Sequence, residues 1–180
     1  LTTGDAFDCD INGDGTYDPN TERFYYLNSK DGNESSEYAV LLYYSNTTNG
    51  VADNTRATNI AYDASGENWH GPRTAIANLP TVNQWSNVSL SSTTRAITAE
   101  FGQTATAGGT LPTNFSYTNS NGVAYAARLF TAAEIMPVCD LSPESLEIPK
   151  KCEFVFENTK YSSLSIGTWG HWAETPYSGI

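Results

Sequence analysis

Charge is scarce in this chain, and positive charge most of all. Only 16% of its 180 residues are charged, with nine Lys and Arg set against 20 Asp and Glu. A net charge of -11 repels phosphate backbones and anionic lipid. That argues against nucleic acid and charged membrane faces as partners, and favours a divalent cation. No run of 18 apolar residues occurs, so no segment reads as a membrane-spanning helix. The two histidines, His70 and His171, lie far apart in sequence, which argues against a zinc triad. A G-x-S-x-G elbow, a phosphate-cradling glycine loop and a C-x-x-C pair are all missing. No catalytic set can be assembled from what remains.

Cysteine is also sparse, and its count of three is odd. Cys139 and Cys152 bracket a loop holding Pro143 and Pro149, short enough to be closed readily by a disulfide, which leaves Cys9 over. The alternative is three reduced thiols in a reducing compartment. The disulfide reading goes with the abundance of Asn, Thr, Ser and Gly, a composition common in secreted β-rich proteins. The chain opens at Leu1 rather than Met, as expected of a processed or trimmed protein. With 39% hydrophobic residues and eleven tyrosines it can still bury a core. The length suits one domain, here residues 23–180, behind an acidic N-terminal segment of residues 1–22.

That acidic segment carries the strongest site signal. D-I-N-G-D-G-T-Y-D places Asp10, Asn12 and Asp14 at alternate positions, followed by Gly15, a carbonyl candidate at Thr16, and Asp18. This is the spacing by which an EF-hand-type loop converges oxygens on calcium, with glycine supplying the sharp turn. It resembles the loop of dockerins more than that of calmodulin. Two departures stand out: the twelfth position is Thr21, with Glu22 one step late, and an aromatic strand follows instead of a helix. A shifted frame through Asp8, Asp10 and Asn12 with Gly13 is open as well, as is a solvated acidic turn with no ion. Five aspartates from Asp5 to Asp18 repel one another unless something neutralises them.

Beyond this loop the pattern predicts mostly strands. Residues 23–27 (R-F-Y-Y-L) and 38–44 (Y-A-V-L-L-Y-Y), separated by K-D-G-N, form a hairpin whose second strand, apolar on both faces, is expected to be central. Residues 46–63 read as a polar loop. A short helix is expected over 74–79, stopped by Pro80, and another over 92–101, ended by Gly102. Residues 103–121 read as loop and 123–129 as a strand. Thr131 and Glu134 make a capping box that opens a short helix, and residues 152–157 read as a further extended stretch. In G-E-N-W-H-G-P (66–72), Glu67 beside His70 could serve acid–base chemistry. The plainer reading makes Trp69 a loop anchor and gives His70 a backbone hydrogen bond. Short strands, few short helices and long loops indicate an α+β domain with a mixed, mostly antiparallel sheet.

R-L-F-T-A-A-E-I (128–135) and the closing T-W-G-H-W-A-E-T-P-Y-S-G (168–179) together resemble a pattern in bacterial surface domains of the C-type-lectin-like fold. That group includes formylglycine-generating-enzyme-like and retroelement-diversified variable proteins. The resemblance covers residues 123–180 and implies an extracellular, non-catalytic domain for binding or adhesion. It implies a ligand face of Trp169, His171, Glu174 and Tyr177 for a protein or carbohydrate on a cell surface, with Trp172 packed inside against Leu129 and the helix after Thr131. It also implies that the chain lacks the last strands of the fold. The lectin calcium signatures E-P-N, Q-P-D and W-N-D are missing, as are the paired active-site cysteines of the formylglycine-generating enzymes. A second resemblance, to the exported part of prepilin-like surface proteins, implies instead a subunit that self-assembles into filaments. A secreted enzyme is the third class. Sequons stand at Asn33, Asn46, Asn87 and Asn114.

Overall fold

The computed structural model describes residues 1–29, 39–52, 60–66, 70–96, 114–131 and 134. Within these the secondary structure is mostly antiparallel strand, with α-helix at Arg73–Ile76 and at Glu134 and no helix long and apolar enough to cross a membrane. The chain divides into two compact units, the first built mainly on residues 1–46 and the second mainly on residues 57–132.

The first unit is organised by the aromatic run that follows the acidic segment. β1 (Ala6–Asp8), β2 (Arg23–Ser29) and β3 (Ala39–Tyr43) form one antiparallel sheet in the order β1-β2-β3. The expected hairpin partners are therefore present, with Phe24 opposite Tyr43 and Tyr25 opposite Leu42. The Phe24 and Tyr43 rings lie 5.2 Å apart, a cross-strand aromatic pair of the kind that fixes register. The register slips between Tyr26 and Asn28, so Leu27 sits at a bulge, and its side chain is fully buried.

Among the described residues the central strand is β2, not the second hairpin strand as its composition suggested. The reason is β1, only three residues and too short to announce itself, which pairs along the other edge of β2. Phe24 and Tyr25 point to opposite faces of β2 and both are buried, whereas β3 alternates between exposed Leu41 and buried Leu42.

The second unit is assembled from shorter pieces. β4 (Thr47–Thr48) turns at Asn49 and Gly50 into β5 (Val51–Ala52), inside the stretch expected to be polar loop. Both turn residues have positive φ, 51° and 78°, as a tight antiparallel hairpin requires. α1 (Arg73–Ile76) lies where a short helix was expected. The helix expected from residue 92 is contradicted by β6 (Thr94–Ala96), which pairs with β7 (Asn114–Ser116) inside a stretch that read as loop. Consecutive threonines at 93 and 94 favour extended backbone, and the partner strand decides the matter. The strand expected over 123–129 is reduced to two isolated bridges, Thr118 to Ala124 and Thr81 to Tyr125. Its neighbours Tyr125 and Ala126 are both buried, which an alternating strand with one solvent face would not allow. Ile76, Phe115, Tyr117 and Tyr125 make the buried cluster, with Leu79, Leu90 and Leu129 packed on it. Thr131 is in irregular backbone and buried Glu134 is helical, where a helix was expected to open; the rest of that stretch lies outside the described residues.

Candidate functional site

The acidic loop leaves β1 at Asp8 and returns into β2 at Arg23, so the sheet fixes both of its ends. Asp8 and Arg23 face each other in the β1–β2 register and join through a two-pronged ion pair, Nε to Oδ1 at 2.7 Å and Nη2 to Oδ2 at 2.9 Å. The guanidinium hydrogen bond holds the Asp8 carboxyl below its usual value, and the same pair raises Arg23. Asp8 is thereby committed to Arg23, which leaves the frame beginning at Asp10 as the better candidate for an ion.

Between these ends the loop folds onto its own amides. The Asp10 carboxylate accepts from the backbone N–H of Gly13 at 2.7 Å, Asp14 at 3.1 Å and Gly15 at 3.0 Å. Asn12 Oδ1 accepts from the Asp14 amide, while its Nδ2 donates to Asp14 Oδ2. Asp14 Oδ1 accepts the hydroxyl and the N–H of Thr16, and these two bonds draw its carboxyl below the usual range. Asp18 accepts from the Asn20 amide and the Thr21 hydroxyl, which lower it likewise, against a weaker repulsion from Asp14. All of these are exposed or part-buried turn bonds of the kind Asx residues form readily.

Glu22 is the residue whose role the spacing did not disclose. It is 1% exposed, and its two carboxylate oxygens reach across the loop, Oε1 accepting from Ile11 N at 3.1 Å and Oε2 from Asp18 N at 2.9 Å. Its own N–H returns to the Asp18 carbonyl at 2.7 Å, and its carbonyl accepts from Cys9 N. Thus Glu22 spans the loop from its second to its ninth position and bolts it to the start of β2. The signal was an acidic residue one step past the ligand position. Tyr43 adds an outer tie from β3, donating its hydroxyl to the Thr21 carbonyl at 2.7 Å. Beside the loop, Cys9 is a free thiol, raised by burial and by the neighbouring charges of Asp8 and Glu22.

The loop's donor set is all oxygen, as a hard divalent cation demands, and a carboxylate oxygen that accepts one N–H keeps a further lone pair. Among the described residues no three His, Cys, Asp or Glu side chains are gathered as a metal centre gathers them. Coordination therefore requires Asp10, Asp14 and Asp18 to turn toward a common point, exchanging some of their N–H partners for the ion. The residues fit calcium in kind and in spacing.

A second constellation lies before α1. His70 Nδ1 stands 2.6 Å from Asp63 Oδ2 and 3.0 Å from Ser65 Oγ, whose hydroxyl also donates to Asp63. The Nδ1 partner is thus a carboxylate, with a serine hydroxyl beside it. Burial alone would raise Asp63, but the Ser65 and His70 hydrogen bonds outweigh it and leave the carboxyl below its usual value. An ionised carboxylate only accepts, so the imidazole proton sits on Nδ1. Ser65 and Asp63 both address that same nitrogen. A nucleophile must instead face the other one, so this is not a hydrolytic triad. The Tyr62 carbonyl accepts from Thr74 N and Ala64 N donates to Thr74 Oγ1, which completes the docking of this turn on α1.

Trp169, His171, Glu174 and Tyr177, together with Trp172, Cys139, Cys152, Glu67 and Trp69, lie outside the described residues. So does the Asn33 sequon; Asn46, Asn87 and Asn114 are exposed. No protein-family model matches the chain, and neither a curated protein nor a solved structure is significantly similar to it.

Proposed function

We propose that this chain is an extracellular, cell-surface domain for binding or adhesion, non-catalytic, of α+β C-type-lectin-like fold and stabilised by calcium at the Asp10–Asp18 loop. The observation that carries the reading is the loop itself: four oxygen-bearing side chains at calcium-loop spacing, on a segment held at its ends by the paired strands β1 and β2 and closed by buried Glu22. Asp10, Asn12, Asp14 and Asp18 would hold the ion with the Thr16 carbonyl. Calcium supplies positive charge where aspartates crowd, joining the two arms of the loop and stiffening the entry into the sheet. On this reading the ligand, a protein or a carbohydrate, is met by Trp169, His171, Glu174 and Tyr177.

The test is thermal unfolding in EGTA and in increasing calcium. A ligand that binds only the folded state adds about 2.7 kcal/mol at one hundred times its Kd. At about 2–4 °C per kcal/mol for a chain of this size, Tm should rise by roughly 5–10 °C. Asp10→Ala with Asp14→Ala should abolish the rise. An unchanged Tm in the wild-type chain up to millimolar calcium refutes the calcium reading.

A further inference from the structure

We draw no further inference here: the strongest candidate, the Asp63–Ser65–His70 side-chain cluster on the turn before α1, sets both oxygen partners on one imidazole nitrogen and so accounts for itself as a clasp between Asp63 and His70, with nothing among the described residues to identify a ligand or a reacting atom.

Discussion

Glu22 is the residue on which the acidic loop depends. A buried carboxylate that accepts two backbone amides cannot be shortened without leaving both N–H groups unpaired. Hydrogen bonds to a charged group are worth about 1.5–3 kcal/mol, and a stranded buried donor costs on the same order. Glu22→Ala should therefore lower stability in urea by about 3–6 kcal/mol, the sum of two such losses. Glu22→Gln keeps one acceptor oxygen and should lose about half as much. Equal, negligible losses in both variants would mean the loop closes without Glu22. The aspartates make a prediction in pH. Asp8, Asp14, Asp18 and Asp63 are all held below the ordinary carboxylate value. A lowered folded pKa adds stability that is complete above the unfolded value and is lost as pH falls through the folded one. Without calcium and at salt high enough to screen repulsion, the urea midpoint should be flat above about pH 5 and fall steadily below about 3.9. A midpoint that holds or rises on acidification would contradict the hydrogen-bond geometry of these four groups.

At the scale of elements, two glycines differ in what surrounds them. Gly50 and Gly71 both have positive φ, 78° and 79°, a conformation costing about 1–2 kcal/mol for a residue with Cβ. A Cβ on Gly50 would meet the end of the exposed Gln84 side chain, whereas one on Gly71 would overlap the buried Phe115 ring. Gln84 is exposed and can swing away, at the loss of its bond to the Asn49 carbonyl and of those its Oε1 accepts from Thr81; the core cannot move as cheaply. Gly71→Ala should thus destabilise by about 2–5 kcal/mol and Gly50→Ala by about 1–3. Equal effects would show that Phe115 is free to shift. These positions also mark what the sequence made legible. β2, β3 and α1 could be read because each carries its own signal: aromatic runs of strand length, or a helical pattern stopped by Pro80. The Asn49-Gly50 turn was equally readable, yet its two-residue strands are too short to show alternation. β6 and β7 were not readable, since β6 is neither apolar nor alternating, β7 alternates over only three residues, and each exists because the other is there. The acidic loop was legible in its spacing, which residue types alone determine. Glu22 as its closure was not, because that role depends on the sheet bringing Ile11 and Asp18 to either side of one side chain.

At the scale of the molecule, a net charge of -11 disposes the whole chain to respond to any cation. Screening of like charges stabilises compact states, so a calcium-induced rise in Tm is not by itself proof of a site. Two comparisons separate the effects. Sodium chloride at matched ionic strength, and magnesium at matched concentration, supply screening. Magnesium demands tighter, near-octahedral geometry and parts with its waters reluctantly, so a loop of EF-hand spacing should discriminate against it. Calcium should raise Tm beyond both. Hydrogen exchange then places the effect. The amides of Ile11 and Asp18 donate to the Glu22 carboxylate, which is not among the ion's ligands and so keeps both bonds when the aspartates turn to the ion. An ion at Asp10–Asp18 lowers the frequency of local opening, and exchange at these amides should slow several-fold. The amides of Gln84, Trp85, Tyr117 and Tyr125, in the second compact unit, should slow no more in calcium than in matched sodium chloride. General screening predicts a different pattern, with protection spread over both units and equalled by salt. If calcium yields that pattern, the acidic loop is a solvated turn closed by Glu22, and its aspartates serve the fold rather than an ion.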